Sequence, residues 1–137
     1  MAYWLLKTEP SAYSLADLER DRLTTWDGVS NPAALKNLRG MQKDDLCVLY
    51  HTGDEKAAVG IASVSRPAYP DPATGDDKRP VVDLRFKRRL HKPVPLSTMK
   101  SYVAFKDSPL VRQGRLSVVP LTDLQWNAIL SLADTAV

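Results

Sequence analysis

Hydrophobic residues come in short bursts along this chain, and the turn-forming residues between them divide it into strands and short helices. Residues 3–6 are an unbroken aromatic and aliphatic run ended by Pro10, the pattern of a buried first strand. Ser14 with Asp17 three residues later spells a capping box, and Tyr13 and Leu18 occupy the positions of a hydrophobic staple. Together they predict a helix over residues 15–20. A polar connection follows, containing Thr24, Thr25, Trp26, Asp27 and Gly28. Asn31 as a cap, Pro32 at the first helical position and Gly40 just past the end predict a second helix over residues 32–39. Strands are expected over residues 46–50, 59–64 and 81–90, with a loop carrying Pro67, Pro70, Pro72 and Gly75 between the last two. Pro93 and Pro95 close the longest strand, and a helical turn follows over residues 96–100. The last strand is expected over residues 116–119. Thr122 and Gln125 then form a second capping box, with Leu121 and Trp126 as its staple, opening a final helix over residues 123–132.

Strands dominate the middle of this order and the helices do not alternate with them. The expectation is an α+β protein, a mainly antiparallel β-barrel with flanking short helices, rather than a parallel doubly wound sheet. The length of 137 residues suits a single domain spanning 1–137. A hydrophobic content of 44% with 26% charged residues is that of a globular chain able to bury a core. Cys47 is the only cysteine, so no internal disulfide and no oxidising compartment is implied. No apolar stretch approaches the ~20 residues of a membrane span. The chain reads as soluble and cytoplasmic, without a membrane partner. A net charge of +3 permits an acidic partner without demonstrating one.

Catalytic signatures are missing. His51 and His91 are the only histidines, and with one cysteine they give no zinc-ligand spacing, so neither metal nor cofactor is expected. Phosphate-binding glycine loops and nucleophile-elbow motifs are also absent. Cys47 and His51 share one predicted strand and would stand ~13 Å apart when extended, too far for a nucleophile and its base. The chain is therefore expected not to be an enzyme.

Other residues suit binding. Trp26 stands in the polar connection, where it can offer a flat face to a base or fold over the core and plug a helix end. Asn31 caps a helix, yet an amide can also pair with a base edge. Tyr50, His51 and Thr52 end a strand, where polar side chains can line a pocket. Strand alternation puts Asp83, Arg85, Lys87 and Arg89 on one face, at ~6.6 Å spacing, either a track for phosphates or a solvated sheet face. Arg112 and Arg115 flank Gly114 in a second basic cluster of the same two readings.

The arrangement of these segments resembles the EVE domain family. Y-W-L-L-K-T-E-P at Tyr3 to Pro10 resembles its opening K-[ST]-E-P signature, and T-W-D-G-V-S-N-P at Thr25 to Pro32 its W-D-G-V-[RS]-N segment. Tyr50-His51-Thr52-Gly53 resembles its Y-H-[ST] strand end. Ala68 to Asp71, Val82 to Phe86, Gly114 to Val118 and Pro120 to Thr122 match further family positions, so the resemblance covers nearly the whole chain. Some relatives carry a tryptophan where this chain has Arg79-Pro80. The family is similar in fold to PUA and YTH domains, which implies a PUA-like barrel and a pocket for a modified base in DNA or RNA. On that resemblance Trp26 stacks on the base, and Asn31 with Lys7, Thr8 and Glu9 meets its polar edge. Tyr50, His51 and Thr52 form another wall, with Leu116 and Ser117 near the pocket. The expected partner is nucleic acid. The alternatives are an enzyme acting on nucleotides or RNA through His51 or Glu9, and a protein-interaction module.

Overall fold

A computed structural model describes all residues, Met1–Val137. Its strands are β1 (Tyr3–Thr8), β2 (Leu23–Trp26), β3 (Leu46–His51), β4 (Ala57–Pro70), β5 (Pro80–Pro95) and β6 (Val118–Leu121). Its helices are α1 (Leu15–Asp21), α2 (Pro32–Gly40), α3 (Leu96–Lys100), α4 (Pro109–Arg112) and α5 (Asp123–Leu132), with a 3-10 turn at Val103–Phe105.

The helix starts form as their local chemistry dictates. The Ser14 hydroxyl accepts from the Asp17 amide at 3.1 Å, and the Asp17 carboxylate accepts from the Ser14 amide at 2.9 Å. Thr122 and Gln125 repeat this at the head of α5. Asn31 Oδ1 accepts from the amides of Ala33 and Ala34, with Pro32 opening α2. Gly40 differs from expectation: it is the last helical residue, and Met41 ends the helix in an extended conformation.

Two strands outrun their sequence limits. Pro67 lies within the irregular pairing between Arg66 and Tyr69, and Pro93 within that between Arg89 and Val94, where no regular ladder bond is asked of them. Pro70, Pro80 and Pro95 stand at strand ends. Strand β2, expected to be a polar connection, exists because Leu23 to Trp26 pair with Arg85 to Val82 of β5. The last strand is displaced by two residues from its expected start, to Val118.

The sheet order is β2-β5-β4-β3-β1-β6, antiparallel except for the β1–β3 pair. That parallel pair needs a long crossover, which α1, β2 and α2 supply. The expected barrel does not close: β2 and β6 are the two edges and do not pair. Helix α2 packs against β4, β5 and the edge strand β6. Its Asn37 side chain donates to the Val118 carbonyl of β6 at 2.8 Å, so this edge acceptor is met by a helix rather than a strand.

Both faces of the sheet are covered. Trp4, Leu6 and Thr8 share a side with their partners Cys47, Leu49 and His51, and on that side pack α1 and α2. Gly60 lies there too, and a Cβ on it would stand 2.9 Å from Leu15 Cδ2, so only glycine lets α1 approach this closely. Tyr3, Leu5 and Lys7 face the other way, where Tyr3 stacks on Trp126 of α5 at 4.5 Å between ring centroids. The N-terminal strand is anchored by a buried carboxylate. Asp45 accepts from Trp4 Nε1 at 3.0 Å, from the Gln42 amide at 2.9 Å and from the Ala2 amide at 3.2 Å. No helix is long and apolar enough to cross a membrane.

Candidate functional site

Two clefts lie near the C-terminal end of β1 and take up some of the predicted site residues, Thr8 and Trp26 in one and Asn31, Arg115 and Leu116 in the other. The first has a volume of about 460 Å³ and is lined by Thr8, Ala12, Tyr13, Thr24, Thr25, Trp26, Asp27 and Gly28. Trp26 enters it from the end of β2 and the α1 side of the sheet, since its partner Val82 and the neighbouring pair Thr24–Leu84 face α1. It is only 7% exposed, so it both closes the core and offers its remaining surface to the cleft. Tyr13 meets it edge to face, with centroids 6.2 Å apart and planes at 84°. Gly28, with φ of 77°, takes the left-handed turn by which the chain leaves the cleft towards α2.

The second cleft, about 300 Å³, is lined by Asn31, Ala33, Gln113, Gly114, Arg115 and Leu116. The two are joined through the chain: Gly28 and Asn31 belong to one short loop, and Lys7 adjoins Thr8. Lys7 lies half-buried with its Nζ donating to the Gly114 carbonyl at 2.9 Å and 5.8 Å above the Tyr50 ring. Burial holds the Lys7 amine below the usual lysine range. The Lys7 amide donates to the Ser117 carbonyl, which ties the loop before β6 to β1. Asn31 spends its oxygen on the helix cap and keeps its amide nitrogen for the cleft.

The wall expected from the end of β3 is not in either cleft. Tyr50 is buried, and burial raises its phenol pKa. His51 is 8% exposed and committed on both ring nitrogens. Nε2 accepts from the Leu15 amide at 3.0 Å, and Nδ1 donates to Glu55 Oε1 at 2.7 Å. This histidine completes the N-terminus of α1. Thr52 donates to the Thr8 carbonyl and to Glu9 Oε2, which is exposed beside Gly53. Cys47 is wholly buried, and burial raises its thiol pKa. No group of His, Cys, Asp or Glu side chains is placed to hold a metal ion.

The basic run also departs from its expected geometry. Lys87 has no partner in β4, because the register passes from Ile61–Arg88 to Ala62–Phe86. This bulge reverses the alternation beyond it. Arg85 opposes Ser63 and Arg89 opposes Gly60, three residues apart on β4, so the two arginines point to opposite sides. The contacts agree: Arg89 pairs with Glu19 of α1 at 2.8 Å, whereas Arg88 donates to the Ala136 carbonyl beyond α5. Arg112 is paired with Asp107 at 2.6 Å. Arg85, Lys87 and Arg115 are exposed and make no ion pair.

Tyr13, Thr24, Thr25 and Asp27 are cleft residues that sequence reasoning passed over. Tyr13 was legible only as a staple, because its apposition to Trp26 depends on β2 forming. A larger depression of about 600 Å³, between the 3-10 turn, α4 and the start of α5, contains none of the predicted site residues. It has no aromatic wall, and the Trp26 cleft is the better place for a planar ligand.

Comparison with known proteins shows the family. Residues 2–132 match the family model of the EVE domain. Thymocyte nuclear protein 1 of Mus musculus is 32% identical over 167 residues, covering 97% of this chain and 74% of that protein. The solved human THYN1 protein, in complex with DNA containing 5-methylcytosine, matches over 100% of both chains with 27% identity and a TM-score of 0.90. The YTH domain of Zygosaccharomyces rouxii MRB1, solved with N6-methyladenosine RNA, covers 99% of this chain and 88% of its own at 14% identity. Its TM-score of 0.61 makes it a relative in fold.

Proposed function

Because this chain belongs to the EVE domain family, we propose that it is a non-catalytic module that recognises a modified nucleobase in DNA or RNA, held in the Trp26 cleft. The observation that carries this reading is the corner formed by Trp26 and Tyr13 over a cleft of about 460 Å³. Aromatic surface beside clustered hydroxyls and a carboxylate suits a flat ring with a polar edge. The human THYN1 complex with 5-methylcytosine DNA supports a nucleic-acid partner for the same fold. Asn31 and Arg115 border the adjoining cleft, where the sugar and phosphate of a base in the first cleft would lie.

Recognition of this kind needs stacking and hydrogen bonds, and no group whose proton must move. His51 supports that reading, since both its ring nitrogens hold protein partners. The purified protein is expected to bind a 5-methylcytosine oligonucleotide more tightly than its unmodified counterpart and to return it chemically intact. Titration followed by mass analysis of the recovered oligonucleotide checks both points. Protein-dependent conversion that disappears in His51→Ala would overturn the reading in favour of an enzyme.

The cations separate by the same logic. Arg115 borders the site without a carboxylate partner, whereas Arg89 is held by Glu19 on the α1 side. Arg115→Ala is expected to reduce the slope of log K against log salt by up to ~0.7 for a single strand, and Arg89→Ala to leave it nearly unchanged. Equal slopes for wild type and Arg115→Ala would remove Arg115 from the phosphate track.

A further inference from the structure

Asp27 and Gly28 form the only Asp-Gly step in the chain, and no Asn-Gly step occurs. The step lies between the end of β2 and the cap of α2, and both residues line the Trp26 cleft. Asp27 is exposed and enters no ion pair. The Gly28 amide lies outside every strand and helix and donates to no backbone carbonyl. Gly28 has no side chain to shield that nitrogen, and even an added Cβ would meet nothing within 4 Å. Asp107–Ser108 is the contrasting step, again an aspartate before a small residue. There the Ser108 amide donates to the Phe105 carbonyl at 3.1 Å, and Arg112 holds the Asp107 carboxylate at 2.6 Å.

We infer that Asp27–Gly28 is a self-modification site: the step converts to an isoaspartyl linkage without an enzyme, and the conversion switches off the Trp26 cleft. The switching rests on the proposed reading of the cleft as a base site, whereas the conversion does not. The Gly28 amide nitrogen gives up its proton and attacks Asp27 Cγ. The new C–N bond closes a five-membered imide, and one carboxyl oxygen leaves as water. Water then adds to either imide carbonyl. Opening at the side-chain carbonyl restores aspartate. Opening at the main-chain carbonyl leaves the peptide link running through the Asp27 side chain, with the free carboxylate on Cα. One water leaves and one enters, so mass is unchanged and no oxidant or cofactor is consumed. The main chain becomes longer by one methylene carbon and its negative charge moves. Trp26 stays paired with Val82 and Asn31 still caps α2, so the added length falls on the cleft wall between them.

The full chain is incubated at physiological pH and temperature beside a free peptide of residues 22–33. Isoaspartate is counted by methyl transfer from S-adenosylmethionine with an isoaspartyl methyltransferase, and located by electron-transfer fragmentation of the digested chain. Asp27 in the folded chain is expected to convert at a rate comparable with that in the peptide, while Asp107 stays aspartyl. Asp27→Glu, whose imide would need a six-membered ring, is expected to abolish the signal. An Asp27 that stays aspartyl in the folded chain while the peptide converts would overturn the inference. The converted and unconverted proteins are then separated chromatographically and titrated with a 5-methylcytosine oligonucleotide. The converted form is expected to lose affinity at an unchanged melting temperature, because the change lies outside β2 and α2. Equal affinity of the two forms would overturn the switching and leave the conversion standing. Failure of both forms to bind would instead overturn the base-site reading, and the isoaspartate count would be untouched by it.

Discussion

Trp26→Ala is expected to cost about 3–5 kcal/mol of folding stability, the range for removing a large buried aromatic side chain, and to weaken base binding as well. The folding term follows from burial: the ring is 7% exposed and its packing includes the edge-to-face contact with Tyr13. On a chain of this size that loss lowers the melting temperature by on the order of 10 °C. The binding term follows from the cleft, where loss of one stacking surface costs ~1–3 kcal/mol. The two are separated by measuring the melting temperature first and then titrating below the transition. Trp26→Phe refines the test, since it keeps an aromatic face and most of the packing volume. Its stability is expected to lie near wild type, with affinity between those of wild type and Trp26→Ala. A folded Trp26→Ala protein with wild-type affinity would mean that this residue is a core plug and nothing more.

The second large effect lies away from the cleft. Asp45→Ala strands the donors that its carboxylate satisfies, with Trp4 Nε1 the most enclosed of them. Each donor left without a partner costs about 1–3 kcal/mol in a buried setting. Because Ala2, Trp4 and Gln42 converge on this one group, its loss loosens β1 and the turn before β3 together. Asp45→Asn should recover only part of the loss, since an amide nitrogen would face an N–H donor. Urea denaturation is the check: the midpoint is expected to fall while the slope stays constant. An unchanged midpoint in Asp45→Ala would show that solvent replaces the carboxylate at no cost. The cleft depends on this anchor indirectly, because β1 carries Thr8 to its wall.

What was legible in the chain was local. Ser14 with Asp17, Thr122 with Gln125, and Asn31 before Pro32 each close a hydrogen bond within three residues, so no distant partner is needed. These features determined where α1, α2 and α5 begin. The ordered motifs around Lys7, Trp26, Tyr50 and Ser117 pointed to the family, because motif order survives without knowledge of contacts. Position alone left Trp26 open as plug or platform, and the structure places it buried and still bordering a cleft.

Tertiary structure decided the rest, because it depends on partners far away along the chain. Strand β2 has no strong pattern of its own and forms only against β5. Its formation brings Trp26 to Tyr13 and thereby makes the cleft. His51 was a pocket candidate until the start of α1 supplied a donor to its ring. The single unpaired residue Lys87 sends Arg85 and Arg89 to opposite sides of the sheet, an outcome hidden from alternation, which assumes no bulge. The sheet stays open, with β2 and β6 as unpaired edges and α2 packed against β4, β5 and β6. The chain by itself thus determined helix starts and family, which rest on short-range hydrogen bonds and motif order. The cleft and the side taken by each cation were decided only by the fold, since each is set by a cross-strand or helix-to-sheet partner that no local pattern specifies.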